Sequence, residues 1–205
     1  YKDDTLTFFG KPYHGSAPWN GVNAGLHLLH FLSKVYSNEL LKKIFLDYDD
    51  GMGVTFQGNF SDDVFSESSY NVGRIAYDGK KLTLYVSVRF PSSMEIDTVL
   101  AHVKEYTGAE ITLLGGSDGF VANPNSDFVK ILLSSYIEET GDKEALPLAI
   151  GGGTYARESK NSVAFGSQFP NRDYRMHGDD EFFPLSDFYD TMQIYAHAID
   201  KISEY

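Results

Sequence analysis

Two runs of strand-forming residues, 71–77 and 82–90, stand on either side of Asp78-Gly79. That dipeptide between two such runs is a strong signal for a tight hairpin, because the turn needs backbone that glycine adopts readily. In the second run Leu82, Leu84, Val86 and Val88 point one way. Arg89 falls on the other face, beside Phe90 and Pro91. Residues 5–9 read as a further short strand, and a polar, Pro-containing loop, 10–19, follows it. Apolar positions at Val22, Leu26, Leu29, Leu32 and Val35 predict a helix over 22–36, with Asn20 as its cap. A second helix is expected over 39–46. Residues 47–69 are acidic, with glycines at 51, 53 and 58, and read as loops with at most one strand. A helix over 95–106 and a strand over 109–114 complete the first part. The order β-α-α-β-β-α-β suits an antiparallel sheet with helices packed on one face, an α+β arrangement.

Gly115-Gly116-Ser117-Asp118-Gly119 reads as a boundary, so the expected domains are 1–118 and 119–205. Beyond it, 126–140 is an amphipathic helix with Phe128, Ile131, Leu132 and Tyr136, stopped by Gly141. Short strands are expected at 147–150 and 162–166, and a charged loop at 171–181. A closing helix over 184–203 carries Phe188, Met192, Tyr195 and Ile199 on one side.

Composition narrows the function. Acidic residues outnumber basic ones by 29 to 17, a formal net charge of -12. That balance repels phosphate backbones and argues against a nucleic-acid partner. No apolar run is long enough to span a bilayer, so no membrane is expected. The chain has no cysteine, which excludes disulfides and thiolate metal sites and agrees with a cytoplasmic protein. Any transition metal would need His, Asp or Glu ligands, and there are six histidines. The chain starts without Met and without a signal peptide, and reads as part of a longer polypeptide.

Four places carry candidate chemistry. His177 lies in Arg175-Met176-His177-Gly178-Asp179-Asp180-Glu181, just before the last helix. It can be a metal ligand held by its neighbours, or part of a solvated charged loop. His14, in Gly10-Lys11-Pro12-Tyr13-His14-Gly15-Ser16-Ala17-Pro18, can donate to a developing oxyanion, or lie idle at the surface. Arg89, at a strand end beside Phe-Pro, can hold a carboxylate with two hydrogen bonds, or make an edge-strand salt bridge. The run Gly151-Gly152-Gly153-Thr154-Tyr155-Ala156-Arg157 lets a ligand approach backbone N–H groups, or makes a tight turn; it is neither a P-loop nor a dinucleotide fingerprint. His27, His30, His102 and His197 read as packing or surface residues, since no HExxH pattern surrounds them.

In order along the chain, Gly10-Lys-Pro-Tyr-His14-Gly-Ser-Ala-Pro, Gly21-Val-Asn-Ala, Val88-Arg89-Phe-Pro, Gly151-Gly-Gly-Thr-Tyr-Ala-Arg157, Ser162-Val-Ala-Phe-Gly166 and His177-Gly-Asp-Asp-Glu181 resemble the M20 family of metallopeptidases. Within it the likeness is to PepV-like (Xaa-His, carnosinase-like) dipeptidases, and it covers nearly the whole chain. The resemblance implies residues up to about 118 as part of a lid domain. It implies 119–205 as the last segment of an α/β zinc-peptidase catalytic domain. It implies two zinc ions per intact enzyme, which polarise the scissile carbonyl and generate hydroxide with a Glu as general base. His177 matches the C-terminal zinc ligand, His14 the lid histidine at the oxyanion, and Arg89 the arginine on the substrate's terminal carboxylate. Gly152, Gly153 and Arg157 match a segment lining the substrate pocket. The family's other zinc ligands and paired Glu residues have no counterpart here, and Glu138-Glu139 reads as a solvated helix face. The expectation is a fragment inactive alone, whose partners are a dipeptide and the missing N-terminal part. Two further readings stand beside it: a stand-alone peptide-binding or assembly module, and an M20 relative that hydrolyses another amide such as an N-acyl amino acid.

Overall fold

The structure is a computed structural model that describes residues 5–65, 67–159, 161–176 and 180–205. The chain divides into two compact units, Tyr1–Gly119 and Phe120–Tyr205. The architecture is α+β, with five α-helices and one two-stranded antiparallel sheet among the described residues.

In the first unit the hairpin is present as expected, with β1 over Ser69–Tyr77 and β2 over Leu82–Arg89. Gly79 takes φ +95°, and the Asp78 carboxylate accepts from the N–H groups of Lys80 and Lys81 at 2.9 and 2.8 Å, which closes the turn. The register shifts between Val72 and Arg74, where Gly73 is the extra residue of a bulge. The bulge changes the alternation. Tyr70 and Val72 above it, and Ile75 below it, all join the same core as Leu82, Leu84, Val86 and Val88.

Helix α1 (Ala24–Val35) and helix α2 (Glu39–Tyr48) pack on that core through Leu26, Leu29, Leu41, Ile44, Phe45 and Tyr48. Asn23, not Asn20, caps α1: its side-chain oxygen accepts from the N–H groups of Gly25 and Leu26. Its amide donates to Val72 O at 2.8 Å, so one residue starts the helix and ties it to β1. The start moves to 24 because Lys11 and Val22 exchange two backbone hydrogen bonds, which keeps the chain extended past Asn20. Helix α3 (Ile96–Thr107) buries Val99 and brings Val103 to the same cluster.

Phe56 is fully buried at the centre of this cluster. Its ring lies 4.9 Å from that of Tyr70 and 5.6 Å from those of Tyr48 and Tyr106. The Tyr70 hydroxyl donates to Gly58 O at 2.9 Å. Burial, with the neighbouring Asp47 charge, pushes the Tyr48 hydroxyl up to about 12 from 10.0, and burial likewise raises Tyr70. A phenol raised in the folded state stabilises fully below its ordinary value and loses that contribution as pH climbs through the folded one. The unfolding midpoint of this unit is therefore expected to hold steady from pH 7 to 9 and to fall between about 10 and 12. Tyr48→Phe flattens that fall. A midpoint unchanged to pH 12 in the parent chain contradicts the burial of these phenols.

Two expected strands of this unit are not strands. Residues 6–9 are irregular, with Phe9 85% exposed, and 109–114 are irregular as well. Both runs have β-forming composition, but strand propensity is realised only by a cross-strand neighbour, and the sheet among the described residues consists of β1 and β2. The four-stranded sheet expected from the sequence is thus a two-stranded one among the described residues.

In the second unit helix α4 (Asp127–Thr140) begins at a Ser126 cap, which accepts from Val129 N, and ends at Gly141 with φ +74°. Helix α5 (Leu185–Ser203) packs against it. The buried face of α5 is Asp187, Thr191, Ile194 and Ala198, one turn apart each. Of the expected apolar side, Phe188, Met192 and Ile199 are exposed, along with Leu185 and Tyr189, while Tyr195 is half-buried, its ring 5.6 Å from that of Phe165 and its hydroxyl donating to Phe165 O at 2.8 Å. Glu138 and Glu139, read as a solvated face, pair with His197 and Lys201 of α5 at 2.6–3.3 Å. Residues 147–150 and 162–166 are not strands, since this unit holds no sheet for them to join among the described residues.

The loop between the helices is anchored by a buried carboxylate. Asp187 pairs with Arg172 and accepts from the Tyr174 hydroxyl at 2.6 Å and the Ser186 hydroxyl at 3.1 Å. The Tyr174 hydroxyl in turn accepts from Phe169 N at 2.9 Å. These bonds, the Tyr174 one first, hold the Asp187 carboxyl below the usual carboxylate range. None of the described helices is long and apolar enough to cross a membrane.

Candidate functional site

The polar face of the hairpin is built by alternation. Opposite the core-facing residues lie Ser69 and Asn71 on β1 and Ser87 and Arg89 on β2, with Ser69 paired to Arg89 and Asn71 paired to Ser87. The loop carrying His14 lies on this face. The Ser69 hydroxyl, fully buried, donates to Gly15 O at 3.1 Å. A methyl placed on Gly15 would sit 3.5 Å from the Asn71 amide nitrogen and 3.9 Å from the Ser87 hydroxyl. The sheet therefore brings the His14 loop and Arg89 to one surface, although they are far apart in sequence.

The local reasons are visible. Ala17 N donates to His14 O at 3.0 Å, folding 14–17 into a turn, and the 3-10 turn Pro18–Asn20 follows directly. His14 is exposed, and its Nδ1 lies 2.7 Å from the Ser16 hydroxyl. Arg89 ends β2, and its Nε is buried with no hydrogen-bond partner among the described residues. A buried guanidinium donor left unmatched is costly, and a carboxylate is its natural match.

The turn after Arg89 is pinned from another loop. The Asp62 carboxylate accepts from Ser93 N at 3.1 Å and the Ser92 hydroxyl at 3.3 Å, and from Phe65 N and Val64 N on its own side. These N–H bonds, Phe65 first, lower its carboxyl to about 2.

In the second unit Gly153 and Arg157 meet. A methyl on Gly153 would fall 3.0 Å from an Arg157 guanidinium nitrogen, so the arginine folds back over the glycine. Gly152 faces open space. Thr154 caps the 3-10 turn Tyr155–Glu158 by accepting from Ala156 N. His177 lies outside the described residues. Among the described residues no group of three or more His, Asp or Glu side chains lies close enough to hold a metal ion. Those residues do not by themselves make a metal centre. Of the remaining histidines, His30 packs on Phe45 with ring centroids 4.1 Å apart, His102 hydrogen-bonds Phe56 O at 2.8 Å, His197 pairs with Glu138 and Glu139, and His27 is exposed.

Ser16, Ser69, Asn71 and Ser87 escaped the sequence reading. Two of them were within reach of it: Asn71 and Ser87 alternate with Val72, Val86 and Val88, as Arg89 does, which defines a polar face. Which loop covers that face has no signature in the chain.

The sequence pattern of Peptidase family M20/M25/M40 matches residues 20–201, most of the chain. The chain belongs to that peptidase family. It is similar to two staphylococcal proteins that bear the name "Putative dipeptidase". The one from Staphylococcus haemolyticus (strain JCSC1435) is 33% identical over 205 residues, covering 95% of this chain and 43% of that protein. The one from Staphylococcus aureus (strain MW2) is 32% identical over 210 residues, with the same coverage of 95% and 43%. The chain thus spans less than half the length of these relatives.

Proposed function

We propose that this chain is the C-terminal portion of a dinuclear zinc dipeptidase that cleaves dipeptides with a free C-terminal carboxylate. In this reading 1–118 belong to a lid domain and 119–205 to the catalytic domain. Arg89 holds the substrate carboxylate, and His14 donates a hydrogen bond to the oxyanion formed at the scissile carbonyl. Gly152, Gly153 and Arg157 line the pocket. His177 is one ligand of the two-zinc site, and the other ligands come from the N-terminal part of the longer polypeptide. The lack of cysteine agrees with a cytoplasmic enzyme whose metal ligands are His, Asp and Glu.

The observation that carries the reading is the meeting of the His14 loop and Arg89 on one polar face, with the Arg89 Nε buried and unmatched. A carboxylate bound there fixes one end of a dipeptide. The peptide carbonyl then falls at a set distance from the clamp, where a donor such as His14 can act. Two facts support a missing partner segment. The relatives are more than twice as long as the stretch matched here, and the apolar face of α5 formed by Leu185, Phe188, Tyr189, Met192 and Ile199 is exposed.

The test joins this chain to the preceding segment that its relatives carry. The isolated chain with added zinc is expected to leave Xaa-His dipeptides intact, and the joined protein to hydrolyse them. Turnover by the isolated chain sinks the fragment reading, and an inactive but folded joined protein sinks the dipeptidase reading.

A further inference from the structure

We infer that Ser16 and Ser69 are positioning residues that hold His14 as its Nε2–H tautomer on the hairpin's polar face, so that Nε2 is the nitrogen that donates to the oxyanion. The inference rests on the reading of His14 given under Proposed function.

Ser69 fixes the loop. Its hydroxyl is fully buried and donates to Gly15 O, the carbonyl next to His14, across 54 positions of sequence. Ser69 is also the cross-strand partner of Arg89, so one residue relates the loop to the arginine. Ser16 fixes the ring. Its backbone N–H donates to His14 Nδ1 at 3.3 Å. An N–H can only donate, so Nδ1 accepts and carries no proton. The neutral imidazole then has its proton on Nε2. The Ser16 hydroxyl, 2.7 Å from the same Nδ1, can add a second donor to it. In the other tautomer the backbone N–H of Ser16 would face a protonated nitrogen and lose its acceptor. Stabilising an oxyanion requires a donor, and this arrangement presents one without a prior proton transfer.

The direct test is long-range proton–nitrogen NMR on the ¹⁵N-labelled 205-residue chain at neutral pH. The expected spectrum has His14 Nδ1 unprotonated and Nε2 protonated, and Ser16→Ala, which keeps the backbone donor, keeps this tautomer. A protonated Nδ1 in the parent chain overturns the inference. Kinetics in the joined protein supply the second readout. Loss of one hydrogen bond of about 1 kcal/mol or slightly more lowers kcat of Ser16→Ala about tenfold, with KM within about twofold, and Ser16→Thr restores it. Ser69→Cys, which keeps the shape and weakens the donor, is expected to lower kcat in the same sense. If His14→Ala lowers kcat but Ser16→Ala and Ser69→Cys do not, the positioning inference fails and the role of His14 stands. If His14→Ala leaves kcat unchanged, the functional reading of His14 fails and the inference goes with it.

Discussion

Replacing Phe56 with alanine lowers the stability of the first unit by about 3–5 kcal/mol. Phe56 is fully buried, and three tyrosine rings surround it. Its removal leaves a cavity bounded by groups that cannot collapse freely. The Tyr70 hydroxyl is tied to Gly58 O, and the glycines at 53 and 58 sit directly against the Phe56 ring. Edge-on contacts such as the one with Tyr70 add to the loss beyond the buried area. The chain's single tryptophan, Trp19, lies in this unit, so its fluorescence reports urea unfolding here. Phe56→Leu, which refills part of the volume, is expected to lose less than Phe56→Ala. A midpoint shift worth less than about 1 kcal/mol for Phe56→Ala contradicts a single core centred on this ring.

Replacing Arg89 with alanine is expected to lower kcat/KM for dipeptides by two orders of magnitude or more in the joined protein, corresponding to about 3 kcal/mol or more. The substrate carboxylate would then lie at the hairpin with no cation to meet it. The loss falls mainly on KM if the clamp acts equally on substrate and transition state, and on kcat if it sets the position of the carbonyl. Arg89→Lys recovers only part of the activity, because an ammonium cannot reproduce the two parallel bonds of a guanidinium. Stability is expected to change little, because Arg89 ends its strand and its Nε gains nothing from the protein itself. Wild-type activity in Arg89→Ala removes the carboxylate clamp from the account.

The elements legible in the sequence were those with their own local signals. The hairpin is marked by Asp78-Gly79, α4 by its apolar positions and by Gly141, and α1 by the spacing of Leu26, Leu29, Leu32 and Val35. What misled was composition without partners. Residues 6–9 and 109–114 are rich in strand formers but irregular, since strand character depends on a paired neighbour and the sheet among the described residues is β1 and β2. In α5 the larger side chains predicted the wrong face. Asp187, Thr191, Ile194 and Ala198 are the buried ones, and Asp187 is matched by Arg172 and Tyr174 of the preceding loop. The candidate site was half legible. His14 and Arg89 were singled out by type and by resemblance, but their meeting depends on Ser69 reaching back to Gly15.

The central claim is that the hairpin's polar face recognises a terminal carboxylate through Arg89. The most direct measurement compares hydrolysis of a dipeptide with that of its C-terminal amide, in the joined protein and in its Arg89→Ala variant. The account predicts that the parent strongly prefers the free carboxylate, and that Arg89→Ala cleaves the two substrates at nearly equal kcat/KM. A variant that keeps the parent's preference would contradict it.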